Sequence, residues 1–242
     1  MNPDETQLKK LFDSHPVLGK LRASTCRKLI AAARVDSIQK GKTICREADP
    51  VGAFWLLVSG EVKLVRHTSK GQVLLIDIVL PNELFGVVYY QHHPTYPCSA
   101  IAIKTARVVQ LPIKHLRIES DGNGALTRAL LEDTCLKLCH SLRMRGLMLE
   151  DAPVRVATLL LNLTEKFGPV IPETRAVLAE LSGLTVETAI RITRSMAAEG
   201  ILKTRRGSLE ILDPVALRKK AGENGFSHEH LEHSSNGRGE TA

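Results

Sequence analysis

Residues 180–196 read ELSGLTVETAIRITRSM, the pattern of two short helices joined by a tight turn. The residues before Gly183 place apolar side chains on one helical face. Gly183 stands where such a turn requires a positive φ. Thr185 is suited to cap a second helix that runs from Val186 to about residue 198. The stretch therefore predicts a helix-turn-helix.

The second helix carries side chains that suit base reading in a DNA major groove. Arg191 has the forked donors that bond guanine O6 and N7 together, and Glu187 can accept from cytosine N4. After it, residues 203–212 form a basic turn and an alternating strand, which predicts a two-stranded wing with Arg205 and Arg206 available to phosphates. An ordinary helical hairpin with solvated charges would share the helical pattern, but the basic wing favours DNA.

Upstream, from about residue 26 to 115, short strands alternate with turn residues. Residues 53–58 are an apolar run, and residues 61–66 alternate polar with apolar. A turn at 69–71 leads to a run of β-formers at 73–80. Closely spaced strands of this kind predict a jelly-roll-like β unit.

The period changes after residue 124. Four side chains recur at four- and three-residue steps, which is the spacing of a helix packed on a partner helix. This row, called the seam below, consists of Leu131, Cys135, Leu138 and Leu142. Arg145 falls on the same row and Leu149 resumes it. A helix packed inside its own chain would give the same row. Asp151, followed by a proline at 153, has the look of an N-cap that begins the next helix.

These patterns predict an α+β protein in four parts. A jelly-roll-like β domain with N-terminal helices covers 1–121, and a helix suited to pack on a partner helix covers 122–150. A winged helix-turn-helix follows at 151–220, and a polar, disordered tail at 221–242.

Composition fits a protein of this kind. The 242 residues carry a formal net charge of +7, which permits binding to phosphates. No apolar run is long enough to span a bilayer, and five scattered cysteines suggest no disulfide framework. We expect a soluble cytoplasmic protein with no membrane partner. No phosphate loop, nucleophile elbow or zinc-protease helix is present, so an enzyme is not expected.

Residues 183–191, GLTVETAIR, closely resemble the recognition-helix signature of Crp-Fnr regulators, and of the Fnr branch in particular. Further matches are the helix exit at 199–202, the segment after the wing at 211–214, and the β-roll stretches 41–44, 54–64 and 83–86. The resemblance covers about residues 20 to 215.

The resemblance implies that 1–121 is a β-roll sensor domain and that 122–150 is a dimerisation helix. It further implies a homodimer that binds double-stranded DNA at an inverted repeat and works with RNA polymerase. Half-sites would lie roughly one helical turn apart. Glu187 and Arg191 would contact a central G·C pair of a TTGAT-like half-site. Ile190 stands where the Fnr branch usually has serine, and it can touch a thymine methyl but cannot hydrogen-bond. The predicted DNA contacts are Thr185, Val186, Glu187, Thr188, Ile190, Arg191, Arg194, Arg205 and Arg206.

The resemblance also locates an effector pocket at Phe85, Gly86, Val87, Cys98, Ser99 and Ala100. Members that bind cyclic AMP have a glutamate where Val87 stands and an arginine where Cys98 stands. Neither charge is present in this sequence. Valine cannot accept hydrogen bonds from the ribose hydroxyls, and cysteine is a poor substitute for an arginine that holds the phosphate. Cyclic AMP is therefore not expected.

The sequence leaves open whether the protein binds a cofactor. The N-terminus lacks the cysteine cluster that ligates iron–sulfur in oxygen-sensing Fnr proteins. Cys135 and Cys139 could gather four thiols in a dimer, although seam packing explains them more simply. His92, His93 and Cys98 are candidate axial ligands for haem, and His15 is another; a surface loop is the plainer interpretation of the paired histidines.

The sequence thus predicts a transcription regulator controlled by a small-molecule, gas or redox signal. The alternative is a ligand-independent DNA-binding regulator whose β-roll is structural or contacts RNA polymerase.

Overall fold

The computed structural model describes residues 3–67, 73–87 and 95–222, and the chain forms two compact units that divide between residues 145 and 146. The predicted α+β architecture, with a β-roll, a long helix and a winged helix-turn-helix, is confirmed. The turn predicted at 69–71, His92 and His93, and the tail from residue 223 onward lie outside the described residues.

The first unit begins with helices and continues into the β-roll. Its elements are α1 (Pro3–Ser14), a 3-10 turn (Leu18–Lys20), α2 (Ala23–Ala32), β1 (Arg34–Ile38), β2 (Thr43–Cys45), β3 (Ala53–Ser59), β4 (Val62–His67), β5 (Val73–Val79), β6 (Leu84–Phe85), β7 (Ser99–Ala102), β8 (Ala106–Pro112), α3 (Ile113–Ser120) and α4 (Gly124–Leu147). The strands form two antiparallel sheets, in the orders β1-β8-β3-β6 and β2-β7-β4-β5.

The surroundings of strand β3 explain why its sequence is continuously apolar instead of alternating between apolar and polar residues. Its residues 53–57 are all buried. Phe54 and Leu56 belong to a core shared with Phe12 of α1, whereas Trp55 and Leu57 belong to the core inside the roll. Both faces of the strand are therefore covered, which removes the reason for a polar face.

Helix α4 packs on the β-roll through one side only. Leu126 and Ala129 are buried there. Further along the same side, the Nζ of Lys137 donates to the Leu84 carbonyl at 3.1 Å and lies 2.7 Å from Asp133 Oδ2. The helix ends at Leu147, three residues earlier than predicted. The N–H groups of residues 149 and 150 then donate to the carbonyls of residues 146 and 147 and form a turn. The expectation that Leu149 resumes the seam is therefore wrong, because the chain has already left the helix.

The second unit contains α5 (Ala152–Phe167), β9 (Val170–Ile171), α6 (Arg175–Ser182), α7 (Val186–Ala198), β10 (Leu202–Arg205), β11 (Ser208–Ile211) and α8 (Pro214–Lys220). Asp151 stands at the N-cap of α5 with a proline in the first turn, as predicted, but its side chain makes no capping hydrogen bond. The wing is a three-stranded sheet in the order β10-β11-β9, not the predicted two strands, because Ile171 pairs with Leu209.

Within the described residues, none of the helices combines the length and apolar character that crossing a bilayer requires.

Candidate nucleic-acid interface

The turn between α6 and α7 is built on Gly183. Its φ of 63° is left-handed, and the N–H of Leu184 donates to the Ala179 carbonyl at 3.0 Å. A β-carbon at Gly183 would meet Met148 Sδ at 3.5 Å and Arg155 Nη1 at 3.9 Å, which are ordinary contacts. The position therefore demands glycine for its backbone conformation and not for space.

Arg155 of α5 holds this turn from behind. Its Nη1 donates to the Ser182 carbonyl at 2.8 Å, and its Nη2 donates to the Glu150 carbonyl at 3.0 Å. Ser182 is the last residue of α6, where a carbonyl has no intrahelical donor, and Glu150 lies in the turn between α4 and α5. One guanidinium thus ties the segment before α5 to the start of the turn.

The recognition helix α7 begins at Val186 with its first turn capped. Thr185 Oγ1 accepts from the Thr188 N–H at 3.3 Å and lies 3.1 Å from the Thr188 hydroxyl. Glu187 lies in the first turn, where a carboxylate interacts favourably with the helix dipole. The cap fixes the N-terminal end of the helix that the sequence predicts to enter the groove.

The predicted base-reading side chains of α7 point away from the core. Ala189, Ile192, Thr193 and Met196 form the buried side of the helix. Glu187, Arg191 and Arg194 are exposed, and Val186 is 41% exposed. Thr188 and Ile190 are half-buried.

Beside α7, a cleft of about 290 Å³ lies between the start of α6 and the wing. Its lining includes Glu173, Thr174, Arg175, Ile190, Arg205, Arg206 and Ser208. Three arginines from two segments, distant in sequence, therefore converge next to the recognition helix. Arg175 was not singled out from the sequence; it follows the N-cap Thr174, whose Oγ1 accepts from Val177 N at 3.3 Å. Only the folding of the wing against α6 makes it part of this surface.

The two wing arginines differ in their partners. Arg205 is bound to Glu210 across the hairpin, with Nε 3.1 Å and Nη2 2.8 Å from the same carboxylate oxygen. Arg206 stands at the exposed tip, next to Gly207 with its φ of 78°. The positive charge of Arg205 is thus largely balanced by Glu210.

The seam residues are exposed on α4 in the single chain. Leu131 is 62% exposed, Leu138 56% and Leu142 55%, and Cys135 is exposed as well. They occupy the side of the helix opposite to Leu126, Ala129 and Lys137, which face the β-roll. An apolar row on the solvent side of a helix is typical of a surface that packs against another helix.

The predicted effector-pocket residues lie in the wall and core of the β-roll. Phe85 stacks on Trp55 with ring centroids 5.4 Å apart, and Ala100 is fully buried. Ser99 Oγ accepts from the Glu47 N–H at 2.9 Å. Val87 is buried, and Gly86 and Cys98 are half-buried.

The described cofactor candidates show mixed surroundings. His15 is buried, and its Nδ1 accepts from the N–H groups of Val17 and Leu18 at 3.0 and 3.2 Å. Burial lowers the pKa of His15. That nitrogen is committed to the start of the 3-10 turn. Among the described residues, no three side chains of His, Cys, Asp or Glu come together as metal ligands.

Comparisons with known families match both units. Residues 35–118 match the cyclic nucleotide-binding domain, and residues 154–220 match the Crp-like helix-turn-helix domain. Together the two stretches cover more than half of the chain.

Individual proteins share this organisation. The transcriptional activator protein anr of Pseudomonas aeruginosa is 28% identical over 194 residues, which cover 76% of this chain and 79% of that protein. The cyclic AMP receptor protein of Thermus thermophilus is 28% identical over 190 residues, or 75% of this chain and 85% of that protein. The structure of FixK2 from Bradyrhizobium japonicum superposes with a TM-score of 0.72 over 77% of this chain and 96% of that one, at 23% identity. This last likeness concerns the fold alone.

Proposed function

Because the chain belongs to the Crp-Fnr family of transcription regulators, which are not enzymes, we propose that it binds an inverted-repeat DNA site as a homodimer under a signal other than cyclic AMP. The observation that carries this proposal is the surface formed by α7 and the wing. Exposed Glu187, Arg191 and Arg194 lie on the helix, and the arginine-lined cleft lies beside it.

The chemistry of that surface divides into two tasks. Arg191 and Glu187 have the donor and acceptor geometry that distinguishes a G·C pair in the major groove. Arg175 and Arg206 stand in the cleft, where cations neutralise backbone phosphates without reading sequence. Ile190 also lines the cleft and offers an apolar contact for a thymine methyl.

The exposed seam supports the homodimer. Leucines that are more than half exposed lose hydrophobic stabilisation in water, and a second copy of the same helix would cover them. A two-fold axis along the helices would place two recognition helices in the symmetric arrangement that an inverted repeat requires. RNA polymerase is a further partner in this proposal.

The proposal of a signal other than cyclic AMP rests on the β-roll. Val87 and Cys98 bring no charge to the positions where a ribose and a phosphate would need one. Ser99 already accepts a backbone hydrogen bond from Glu47. An organic ligand, a gas bound to haem or a redox change remains the proposed signal. An absorption spectrum of anaerobically purified protein between about 350 and 650 nm tests for haem or iron–sulfur.

The alternative function, ligand-independent DNA binding, has one observation in its favour. Aromatic side chains of the protein pack inside the roll. The ring centroid of Trp55 lies 5.4 Å from the ring centroids of both Phe85 and Tyr96. The Tyr96 hydroxyl donates to the Ala53 carbonyl at 2.7 Å. This part of the core is thus packed by the protein's own side chains.

The decisive experiment is a selection of DNA sites from a randomised duplex pool, followed by fluorescence anisotropy with the selected duplex. We expect an inverted repeat, bound with two chains per duplex. Arg191→Ala should abolish the preference, whereas Lys219→Ala, which removes a charge outside the cleft, should preserve it. Selection of asymmetric sites, or no selection at all, would contradict the proposal.

A further inference from the structure

We propose that Cys135 forms a disulfide with Cys135 of the partner subunit, so that oxidation locks the dimer through the seam. This inference rests on the proposed homodimer. It assigns a redox-modifiable site to a side chain that the DNA-reading surface does not use.

The register of the seam places Cys135 in its centre. Leu131, Cys135, Leu138 and Leu142 follow steps of four, three and four residues, so they occupy the core positions of a short heptad pattern. In a parallel pair related by a two-fold axis, each core residue meets its own copy. Cys135 is exposed in the single chain, with exposed leucines on either side along the helix.

The geometry of two packed helices allows this bond. Helix axes lie about 8–10 Å apart and Cα atoms stand about 2.3 Å from each axis. Facing core positions therefore bring two Cα atoms to roughly 3.4–5.4 Å on the line between the axes, and somewhat farther apart when they lie beside that line. This overlaps the range of about 4.4–6.8 Å that a disulfide spans.

The same geometry excludes Cys139 as the linking residue. It lies one position after the core residue Leu138, on the flank of the seam. Two-fold symmetry puts the two copies of Cys139 on opposite flanks, with Cα atoms roughly 9 Å apart, too far for a disulfide. For the same reason four thiols would not converge on one metal ion in this arrangement.

The bond would matter because the seam is short. Continuing its spacing by three residues in each direction reaches Arg128 and Arg145, both exposed. In the dimer each arginine would face its own copy, and like charges repel. The apolar contact of α4 is thus confined to four residues per chain, so a covalent link adds substantially to its persistence.

The chemistry needs a disulfide oxidant, and oxidised glutathione supplies it. The thiolate of Cys135 attacks one glutathione sulfur and releases a glutathione thiolate, giving a mixed disulfide. The thiolate of the second Cys135 then attacks the protein sulfur and releases another glutathione thiolate. Two protein thiols lose two protons and two electrons, and one oxidised glutathione becomes two reduced molecules.

The test uses the full chain, first reduced and then exposed to excess oxidised glutathione. Non-reducing electrophoresis should show a species of twice the 26.6 kDa chain mass, and dithiothreitol should reverse it. Cys135→Ser should abolish this species, whereas the matched control Cys139→Ser should retain it. The oxidised dimer should persist on dilution to concentrations roughly tenfold or more below those at which the reduced dimer dissociates.

Sedimentation velocity on the reduced protein tests the homodimer separately from the disulfide. A reduced dimer that yields no cross-linked species, or one whose cross-link survives Cys135→Ser, overturns the disulfide while the proposed function stands. A chain that stays monomeric at all concentrations, and on DNA, overturns the homodimer and the disulfide with it.

Discussion

Replacing Arg206 by alanine should lower the salt dependence of DNA binding by a calculable amount. Arg206 stands at the exposed wing tip and lines the cleft beside α7, where we place a phosphate contact. Each phosphate neutralised in B-DNA contributes about 0.9 to the slope of log Kobs against log salt. A dimer carries two wings, so Arg206→Ala should make the slope shallower by about 1.8. At about 0.15 M salt this corresponds to roughly a 30-fold loss of affinity.

Glu210→Gln should act in the opposite direction. The carboxylate of Glu210 holds Arg205 through two hydrogen bonds, and the amide would leave the guanidinium with its full charge beside the DNA. The slope should then steepen, by at most about 0.9 per wing, and the affinity should rise. The contrast between the two variants separates an available arginine from one already neutralised.

The assay is fluorescence anisotropy between about 0.05 and 0.3 M potassium chloride, with an inverted-repeat duplex and a scrambled one. Both duplexes should show the same change of slope, because phosphates are common to all sequences. Lys219→Ala serves as the matched control. An unchanged slope for Arg206→Ala, or a change on one duplex only, would refute the assignment of the wing tip to phosphate.

Three further predictions concern other parts of the chain. Arg191→Ala should cost about 1–3 kcal/mol of binding free energy per half-site on the preferred duplex and nothing on a scrambled duplex. Fluorescence anisotropy measures both affinities. An equal loss on both duplexes would show that Arg191 contacts only phosphate. Thr185→Ala removes the N-cap of α7 and should lower the free energy of unfolding by about 1 kcal/mol in urea titrations, while Thr185→Ser keeps it. Burial lowers the pKa of His15, so the unfolded chain takes up a proton at higher pH than the folded chain does. The free energy of unfolding should therefore fall as pH drops below the ordinary imidazole pKa of about 6.5, and His15→Asn, which keeps an acceptor for the Val17 N–H, should flatten that fall. Parallel pH profiles for the wild type and His15→Asn would contradict this assignment.

The helix-turn-helix could be predicted from sequence because its determinants are local. Gly183 supplies the left-handed turn and Thr185 supplies the cap, and both act on residues within four positions of themselves. The run 53–58 predicts a strand for a similar reason, since its apolar side chains need no knowledge of the rest of the chain.

What sequence could not show depends on distant pairing. Strand β9 has only two residues, and it becomes a strand because Ile171 meets Leu209, far along the chain. Arg175 joins the wing arginines only after the wing has folded against α6. The bond from Arg205 to Glu210 depends on the hairpin register, which pairs Arg205 with Ser208 and Lys203 with Glu210.

The two hydrogen bonds that Arg155 donates to backbone carbonyls couple two segments of the chain mechanically. Because the Glu150 and Ser182 carbonyls share one guanidinium, residue 150 moves with the DNA-reading turn as part of a single rigid piece. Met148 lies against Gly183 and extends that piece further toward α4. A displacement of residue 150 would therefore be transmitted to the DNA-reading turn through the side chain of Arg155.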